Sequence, residues 1–552
     1  MTELSIVIPT FDRAATLREC LDSLARQTAP PDAFDVVVVD DGSSDETPAV
    51  LDSYDAPFPL HVLRQPNQGQ TVARNRALEQ VEAPFCLFID DDILADPDLV
   101  AEHLRAQREE PCVGVGALRL RTPGNPGGLV RHFERWWDDH YRRLAAGAIE
   151  PDFRICYSGN FSAPTDAIRR AGAFDTSLPA SFGVELAFRL ERAGLRVAFL
   201  ASASGEQVYT KDFRALVRDF DAAGAAAPAL MRKHPELARY ALLGDFTQGG
   251  PRTVLLRRLL LAVRAPTWPL RLADPLLARR PPARVYRFLQ LHCFWRGVRA
   301  KADRDTWLRL TRAPVVLMYH AVGGRGERAS RYVLPERRLR RQLDWLRRRR
   351  YPVLSLDELV QAREENRLPE PRSVVLTFDD GYADTGTRAA PLLRERGFPA
   401  TVFVVTGAVD GPGGWETAPE LEPRALLGWP ELLALRESGL SLGAHTVTHR
   451  RLPELEPAEL ERELVESRDE LARRTGERVR HFAYPYGKRA PEVLEAAGRH
   501  FASACGIDPG TNGPAVPSND LRRLEVHGTR SLPRFALEVW LGFPLFERRR
   551  RR

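Results

Sequence analysis

Apolar positions fall in two alternating series along the chain. The first opens on a short apolar run, Leu4–Pro9, followed by Ala14–Ala25, where apolar residues recur at helical spacing. Val36-Val37-Val38-Val39 reads as a buried strand ending in Asp40-Asp41 and a Gly42-Ser43-Ser44-Asp45 turn. Another run, Phe85–Ile89, ends in Asp90-Asp91-Asp92. Strands that end in carboxylates form the ligand edge of open α/β sheets. The second series has apolar runs at Val315–Tyr319, Val374–Phe378, Ala400–Val405, Leu440–Ala444, His481–Tyr484, Ala502–Cys505 and Leu524–Val526. Helical stretches such as Pro335–Arg350 and Pro457–Arg474 separate several of them. Strand alternating with helix predicts a parallel α/β sheet, with chemistry at the C-terminal strand ends.

Composition and charge refine this picture. A chain of 552 residues with 43% apolar content holds more than one globular core. The net charge of +6 is unevenly placed: residues 252–312 hold fifteen Lys or Arg against Asp274, Asp303 and Asp305. Apolar clusters such as Leu259-Leu260-Leu261 alternate with those arginines, and five arginines, Arg548–Arg552, end the chain. This pattern suits an anionic membrane surface, or a solvated linker. No nucleic-acid motif accompanies it, so no nucleic-acid partner is expected. No apolar run nears the length of a transmembrane helix, and no signal peptide is expected, since the first strand begins at once. The six cysteines form no C-x-x-C pair and read as buried thiols. The expected location is cytoplasmic, with a peripheral place on the inner face of the cell membrane.

The densest chemistry lies in the second half. Leu376-Thr377-Phe378-Asp379-Asp380-Gly381 ends a strand in two carboxylates, and His445-Thr446-Val447-Thr448-His449 supplies two imidazoles four residues apart. One carboxylate and two imidazoles hold a divalent ion with positions open to water, leaving the other Asp free as a base. TFDDG and H-S/T-x-x-H are the first two motifs of the polysaccharide deacetylase family (carbohydrate esterase family 4, the NodB homology domain), which this half resembles. Phe482-Ala483-Tyr484-Pro485-Tyr486-Gly487 is similar to the third motif and Leu524-Glu525-Val526-His527 to the short L-x-x-H motif. The Asp-rich fourth motif is not visible, so the partner that orients the base is not identified. The resemblance implies a distorted seven-stranded (β/α) barrel. It implies Asp380, His445 and His449 on Zn²⁺ or another divalent metal, and Asp379 as general base. The Tyr486 N–H would meet the oxyanion and His527 would protonate the amine. His320 is expected to be structural or to sit at a rim.

The first half resembles glycosyltransferase family 2, whose GT-A fold binds nucleotide sugars. The matching stretches are Ile6-Val7-Ile8-Pro9-Thr10-Phe11-Asp12, Val38–Asp45, Asn67–Asn75 and Phe88–Asp92. The resemblance implies a nucleoside pocket at Pro9, Thr10, Asp12 and Asp41, with Arg74 and Asp91 also in the donor site. Asp90 and Asp92 would handle sugar and metal, Asp92 holding Mg²⁺ or Mn²⁺ against the diphosphate. The family's E-D pair, which carries the acceptor base, is replaced: aligning Glu185–Leu190 on ELxxRL puts Phe182-Gly183 there. Either Glu185 takes over as base or transfer is impaired. The downstream family His gives way to Glu206-Gln207.

The expected layout is a glycosyltransferase-like domain at 1–245, a basic helical linker at 246–312, a NodB-like domain at 313–535 and an apolar-then-arginine tail at 536–552. The expected function is bifunctional. Sugar passes from a nucleotide sugar, with uridine diphosphate the expected carrier, and an N-acetylhexosamine in a glycan or lipid-linked sugar is deacetylated. The alternative is a metal-dependent deacetylase attached to an impaired domain that binds a glycan or nucleotide sugar.

Overall fold

The computed structural model describes residues 2–240, 246–247, 249–280, 282–413, 421 and 424–545; the arginine tail Arg548–Arg552 lies outside them. Two compact units result, Met1–Leu230 with Ala265–Lys301, and Met231–Arg264 with Ala302–Arg552.

The first unit is built on an eight-stranded mixed sheet. Its order is Leu60–Arg64, Phe34–Asp40, Leu4–Thr10, Phe85–Ile89, Asn160–Pro164, Val113–Arg121, Val197–Val208, Ile93–Ala95. The first four strands run parallel, and Asn160–Pro164 is antiparallel to both neighbours. Leu4–Thr10 is buried along its whole length, as a central parallel strand covered on both faces must be. Register pairs Thr10 with Asp40, so the acidic ends of adjacent strands share one sheet edge. Helix Ala283–Lys301 packs closely on Phe213–Lys233: a Cβ on Gly224 would meet the Phe294 carbonyl at 1.9 Å, and one on Gly297 the Asp221 carbonyl at 2.0 Å. Much of the basic segment is therefore packed helix, and it is shared between the units.

In the second unit, seven strands run in the order Ser503–Cys505, His481–Ala483, Ser441–Ala444, Thr401–Val404, Val374–Phe378, Val315–Tyr319, Arg523–Glu525. All pairings on this path are parallel, and a bridge between Cys505 and Leu521 nearly closes the ring. The seven apolar runs of the sequence are these strands. Leu376, Phe378, Val402, Val404 and Phe482 form the apolar core with helices such as Glu336–Arg348. All six cysteines are buried thiols.

Candidate functional site

In the second unit the chemistry gathers where the strands end. Strand Val374–Phe378 delivers Asp379 and Asp380, and the chain turns into the left-handed region at Asp380 (φ 73°). Thr446 (φ 66°), His449 (φ 59°) and Tyr486 (φ 56°) share that conformation, which costs a non-glycine residue energy and clusters at working sites. The turn at Asp380 sends the two carboxylates apart. Asp380 Oδ1 lies 3.4 Å from Nε2 of both His445 and His449. These three groups place ligand atoms within 4.8 Å of one another, and all three are buried.

Local contacts fix the imidazoles. His445 Nδ1 lies 2.7 Å from the Ala483 carbonyl. A carbonyl only accepts, so Nδ1 carries the proton and Nε2 keeps its lone pair for a cation. Glu463, on helix Pro457–Thr475, accepts from the Val447 N–H at 2.7 Å, the Thr448 N–H at 3.0 Å and the Thr448 hydroxyl, clamping the turn between the two histidines. Burial opposes ionisation of Asp380, yet the adjoining His445, His449 and His320 hold it well below the usual carboxylate range. A buried carboxylate with two imidazoles and one oriented lone pair fits a divalent ion.

Asp379 meets a residue the sequence reading missed. Arg523 donates to its two oxygens at 2.6 and 2.8 Å, with both side chains buried. Burial raises the Asp379 pKa, but the Arg523 guanidinium, with His445 and His320, brings it below the ordinary value. Arg523 thus pairs with the carboxylate expected to act as base, where the absent fourth motif left the partner unassigned. Its only sequence signal was an arginine beside L-x-x-H, in a chain rich in arginine.

A cavity of about 320 Å³ opens over these groups, lined by Asp379, Asp380, His445, His449, Tyr486 and His320 among others. His320 therefore stands on the cavity wall. His527 is not among the lining residues; its Nε2 lies 3.9 Å from Glu525, which is. The Tyr486 ring sits 4.7 Å from the His449 ring.

The first unit disperses its carboxylates. Asp41 accepts from Gln65 Nε2 at 2.7 Å and from the N–H groups of Gln68 and Gly69 at 2.9 and 2.7 Å, so it holds the loop after Leu60–Arg64. Asp12 (φ 50°) accepts from the Ser44 N–H at 2.7 Å and ties the turn after Pro9 and Thr10 to the next one. Asp90 pairs with fully buried Arg74, Asp91 accepts from the Thr10 hydroxyl at 2.7 Å, and Asp92 accepts from Arg13 at 3.0 Å and Gln207 at 3.1 Å. Gln207 thus occupies the region where the family places its His. Burial, reinforced by Asp92 and Asp90 against the pull of Arg13 and Thr10, pushes Asp91 up to about 7. Among the described residues, only Asp380, His445 and His449 form a metal-competent group; Asp90 turns to Arg74, while Asp91 and Asp92 share Arg13.

The acceptor side departs further from expectation. Glu185 is buried, and Arg189 donates to its two oxygens at 2.8 and 2.7 Å. Asp379 is paired too, but it lines an open cavity, whereas Glu185 is held on both oxygens by an arginine of its own helix. Phe182 lies over the Arg74 guanidinium at 5.3 Å, as does Phe174 at 5.5 Å. A Cβ on Gly183 would meet Ser158 Cβ at 2.7 Å and the Cys156 carbonyl at 3.0 Å. The pair that stands where the family has E-D is built into packing.

Residues 5–172 match the family model for glycosyl transferase family 2, and residues 366–502 match that for polysaccharide deacetylase. The chain joins a glycosyltransferase family 2 domain to a polysaccharide deacetylase domain. The glycosyltransferase domain is 30% identical over 268 residues to validoxylamine A glucosyltransferase of Streptomyces hygroscopicus subsp. limoneus, covering 42% of this chain and 57% of that protein. The chain thus spans less than two thirds of that relative. The deacetylase domain is 25% identical over 235 residues to the putative polysaccharide deacetylase YxkH of Bacillus subtilis, covering 42% of this chain and 76% of that one. Among solved structures, the Streptococcus pyogenes deacetylase PplD in complex with acetate matches at 25% identity, 41% of this chain, 98% of that chain and TM-score 0.36. The two matched segments stop short of Phe182-Gly183, and exclude His320 and Arg523.

Proposed function

We propose that the deacetylase domain removes the acetyl group from an N-acetylhexosamine in a glycan or lipid-linked sugar. The convergence of Asp380, His445 and His449 beside an Arg523-anchored Asp379 carries this reading. A divalent ion in that group, Zn²⁺ or a similar one, supplies a water of lowered pKa and a positive charge for the carbonyl oxygen. Asp379 takes the water's proton, and Arg523 keeps its carboxylate ionised and aimed. Water oxygen bonds to the carbonyl carbon while the Tyr486 N–H meets the oxyanion. The C–N bond then breaks, giving acetate and a free amine. The amine takes its proton from an imidazole: His527 was the sequence candidate, and the wall position of His320 favours that residue.

The glycosyltransferase domain, in the same proposal, binds a uridine-type nucleotide sugar at the edge formed by Pro9, Thr10, Asp12, Asp41, Arg74 and Asp90–Asp92, with Mg²⁺ or Mn²⁺ on Asp92. A second reading has specific support. With Glu185 locked to Arg189 and Gly183 packed against residues 156–158, this domain binds donor or glycan without efficient transfer. Among the described residues no helix is long and apolar enough to cross a membrane. The basic segment supports a peripheral place on the inner face of the cell membrane. The test is to incubate the full chain with nucleotide sugars and lipid extracts and follow nucleotide and acetate release together. Acetate without nucleotide selects the second reading; neither product overturns both.

A further inference from the structure

Two arginines of the second unit lie over one indole, and a third stands beside them. Arg258, on helix Pro251–Ala262, lies 4.8 Å from the centre of the Trp540 ring, and Arg312 lies 4.5 Å from it. Trp540 is on helix Leu532–Leu541, which packs on the first helix. Arg372 follows, stacked on Tyr351 at 4.8 Å, with its N–H bonded to the Arg312 carbonyl at 2.7 Å. The hydrogen bonds these guanidiniums make go to carbonyls: Arg258 to Thr311 at 3.0 Å and Arg312 to Trp540 at 3.1 Å. Among the described residues none of the three pairs with a carboxylate. The buried Arg74, Arg523 and Arg530 do, with Asp90, Asp379 and Glu538, whereas Arg258 and Arg312 are half-buried and Arg372 is exposed.

Cations drawn partly out of water beside one another are unfavourable unless an anion joins them. Burial, with repulsion from Arg312, pushes Arg258 down to about 9, and burial pushes Arg312 down to about 10. The surroundings show which anion fits. Leu255, Leu259, Leu537 and Trp540, on the same two helices, are 41%, 55%, 43% and 36% exposed. A phosphate facing the guanidiniums with hydrocarbon beside it is the chemistry of a phospholipid. An indole at the boundary is the side chain that membrane interfaces favour. The described chain ends at Leu545, whose N–H bonds to Glu538 on the Trp540 helix at 2.9 Å, and Arg548–Arg552 follow closely in sequence.

The geometry points to an anionic lipid-headgroup site at Arg258, Arg312 and Arg372, with Trp540 and the exposed leucines seated in the lipid surface. This rests on the peripheral-membrane reading and sharpens it from diffuse attraction to a built site. The experiment is co-sedimentation of the full chain with phosphatidylcholine vesicles, with and without phosphatidylglycerol. Wild-type protein should bind the mixed vesicles and release them in high salt. Arg258→Gln with Arg312→Gln should lower partitioning roughly tenfold, and the paired Lys substitutions should keep most of it. Should the Gln pair fail to fold, Arg372→Gln, at an exposed position, should lower partitioning several-fold. Unchanged partitioning in these variants, with binding lost on deleting Arg548–Arg552, overturns the site but leaves the membrane reading intact. No vesicle binding by wild type overturns both. A rise in melting temperature with inorganic phosphate, but no vesicle binding, assigns the arginines to a soluble anion instead.

Discussion

The two sheet edges of this chain carry similar carboxylate motifs and use them in opposite ways. At the deacetylase edge, a left-handed turn at Asp380 splits an Asp-Asp pair, one member toward two histidines and the other toward Arg523. At the glycosyltransferase edge, Asp90, Asp91 and Asp92 diverge onto Arg74, Thr10 and Arg13. The first arrangement is set before any ligand arrives. The second, in the proposed function, would have to exchange internal partners for a donor and its cation, and burial pushes its Asp91 up to about 7. Preorganised charge favours catalysis because no reorganisation is left for the reactive step. The difference teaches that matching motifs do not imply matching readiness.

The largest expected effect would break the comparison at its strong end. Asp379→Asn should lower acetate release about 10³-fold, within the range for losing a general base, while metal content by elemental analysis stays at that of wild type. His445→Ala should lose both. An Asn variant with wild-type turnover would remove Asp379 from the chemistry. Arg523→Gln should come next, costing roughly 10–100-fold in kcat with metal retained, because Asp379 loses the partner that aims and ionises it. A KM effect alone would make Arg523 a packing residue.

At the weak end, Glu185→Gln should act through stability. Breaking a buried pair with Arg189 costs about 3 kcal/mol, read as a lower melting temperature of the glycosyltransferase domain with nucleotide binding preserved in the folded fraction. Unchanged stability with selective loss of transfer would restore Glu185 as the acceptor base. Gly183→Ala should cost about 2 kcal/mol through overpacking against Ser158.

The smallest net effect concerns acid, because two groups of one domain pull in opposite directions. Burial pushes His103 down to about 4 from 6.5, with Nδ1 and Nε2 held by Ser162 and Asn160 at 2.8 and 2.9 Å. The unfolded chain takes up this proton below about 6.5 and the folded domain only below about 4. His103 alone would therefore cost the glycosyltransferase domain about 3 kcal/mol as pH falls through that window, while Asp91, raised to about 7, opposes it by gaining its proton in the folded state. His103→Gln should leave the domain relatively more stable toward acid. A deacetylase domain equally sensitive over the same window would show that the difference between the halves lies elsewhere.

Much of this was legible in the chain. Val36–Val39 and Val374–Phe378 are apolar runs whose period and flanking turns fix strands, and their acidic ends mark the ligand edge. His445 and His449 were legible because four-residue spacing, with an Asp pair upstream, is a strong metal signature. Arg523 was not, since one arginine among 80 Lys and Arg residues carries no pattern. The lock on Glu185 was also hidden. An i, i+4 spacing from Arg189 allows an ion pair, but burial decides whether it ties the carboxylate down.

The sequence by itself determined two α/β cores, their strand order along the chain, the identity of the metal-competent residues and the departure at Phe182-Gly183. The cores and the metal-competent residues follow from local periodicity and residue chemistry, and the departure at Phe182-Gly183 from the resemblance to glycosyltransferase family 2, none of which needs a long-range contact. Only the tertiary structure decided which carboxylate is paired, which imidazole reaches the cavity wall, and which arginines lack an acid. Those depend on residues far apart in sequence, 144 positions for Asp379 and Arg523 and 228 for Arg312 and Trp540, meeting in a low-dielectric interior. There a few ångströms separate a neutralised charge from an available one.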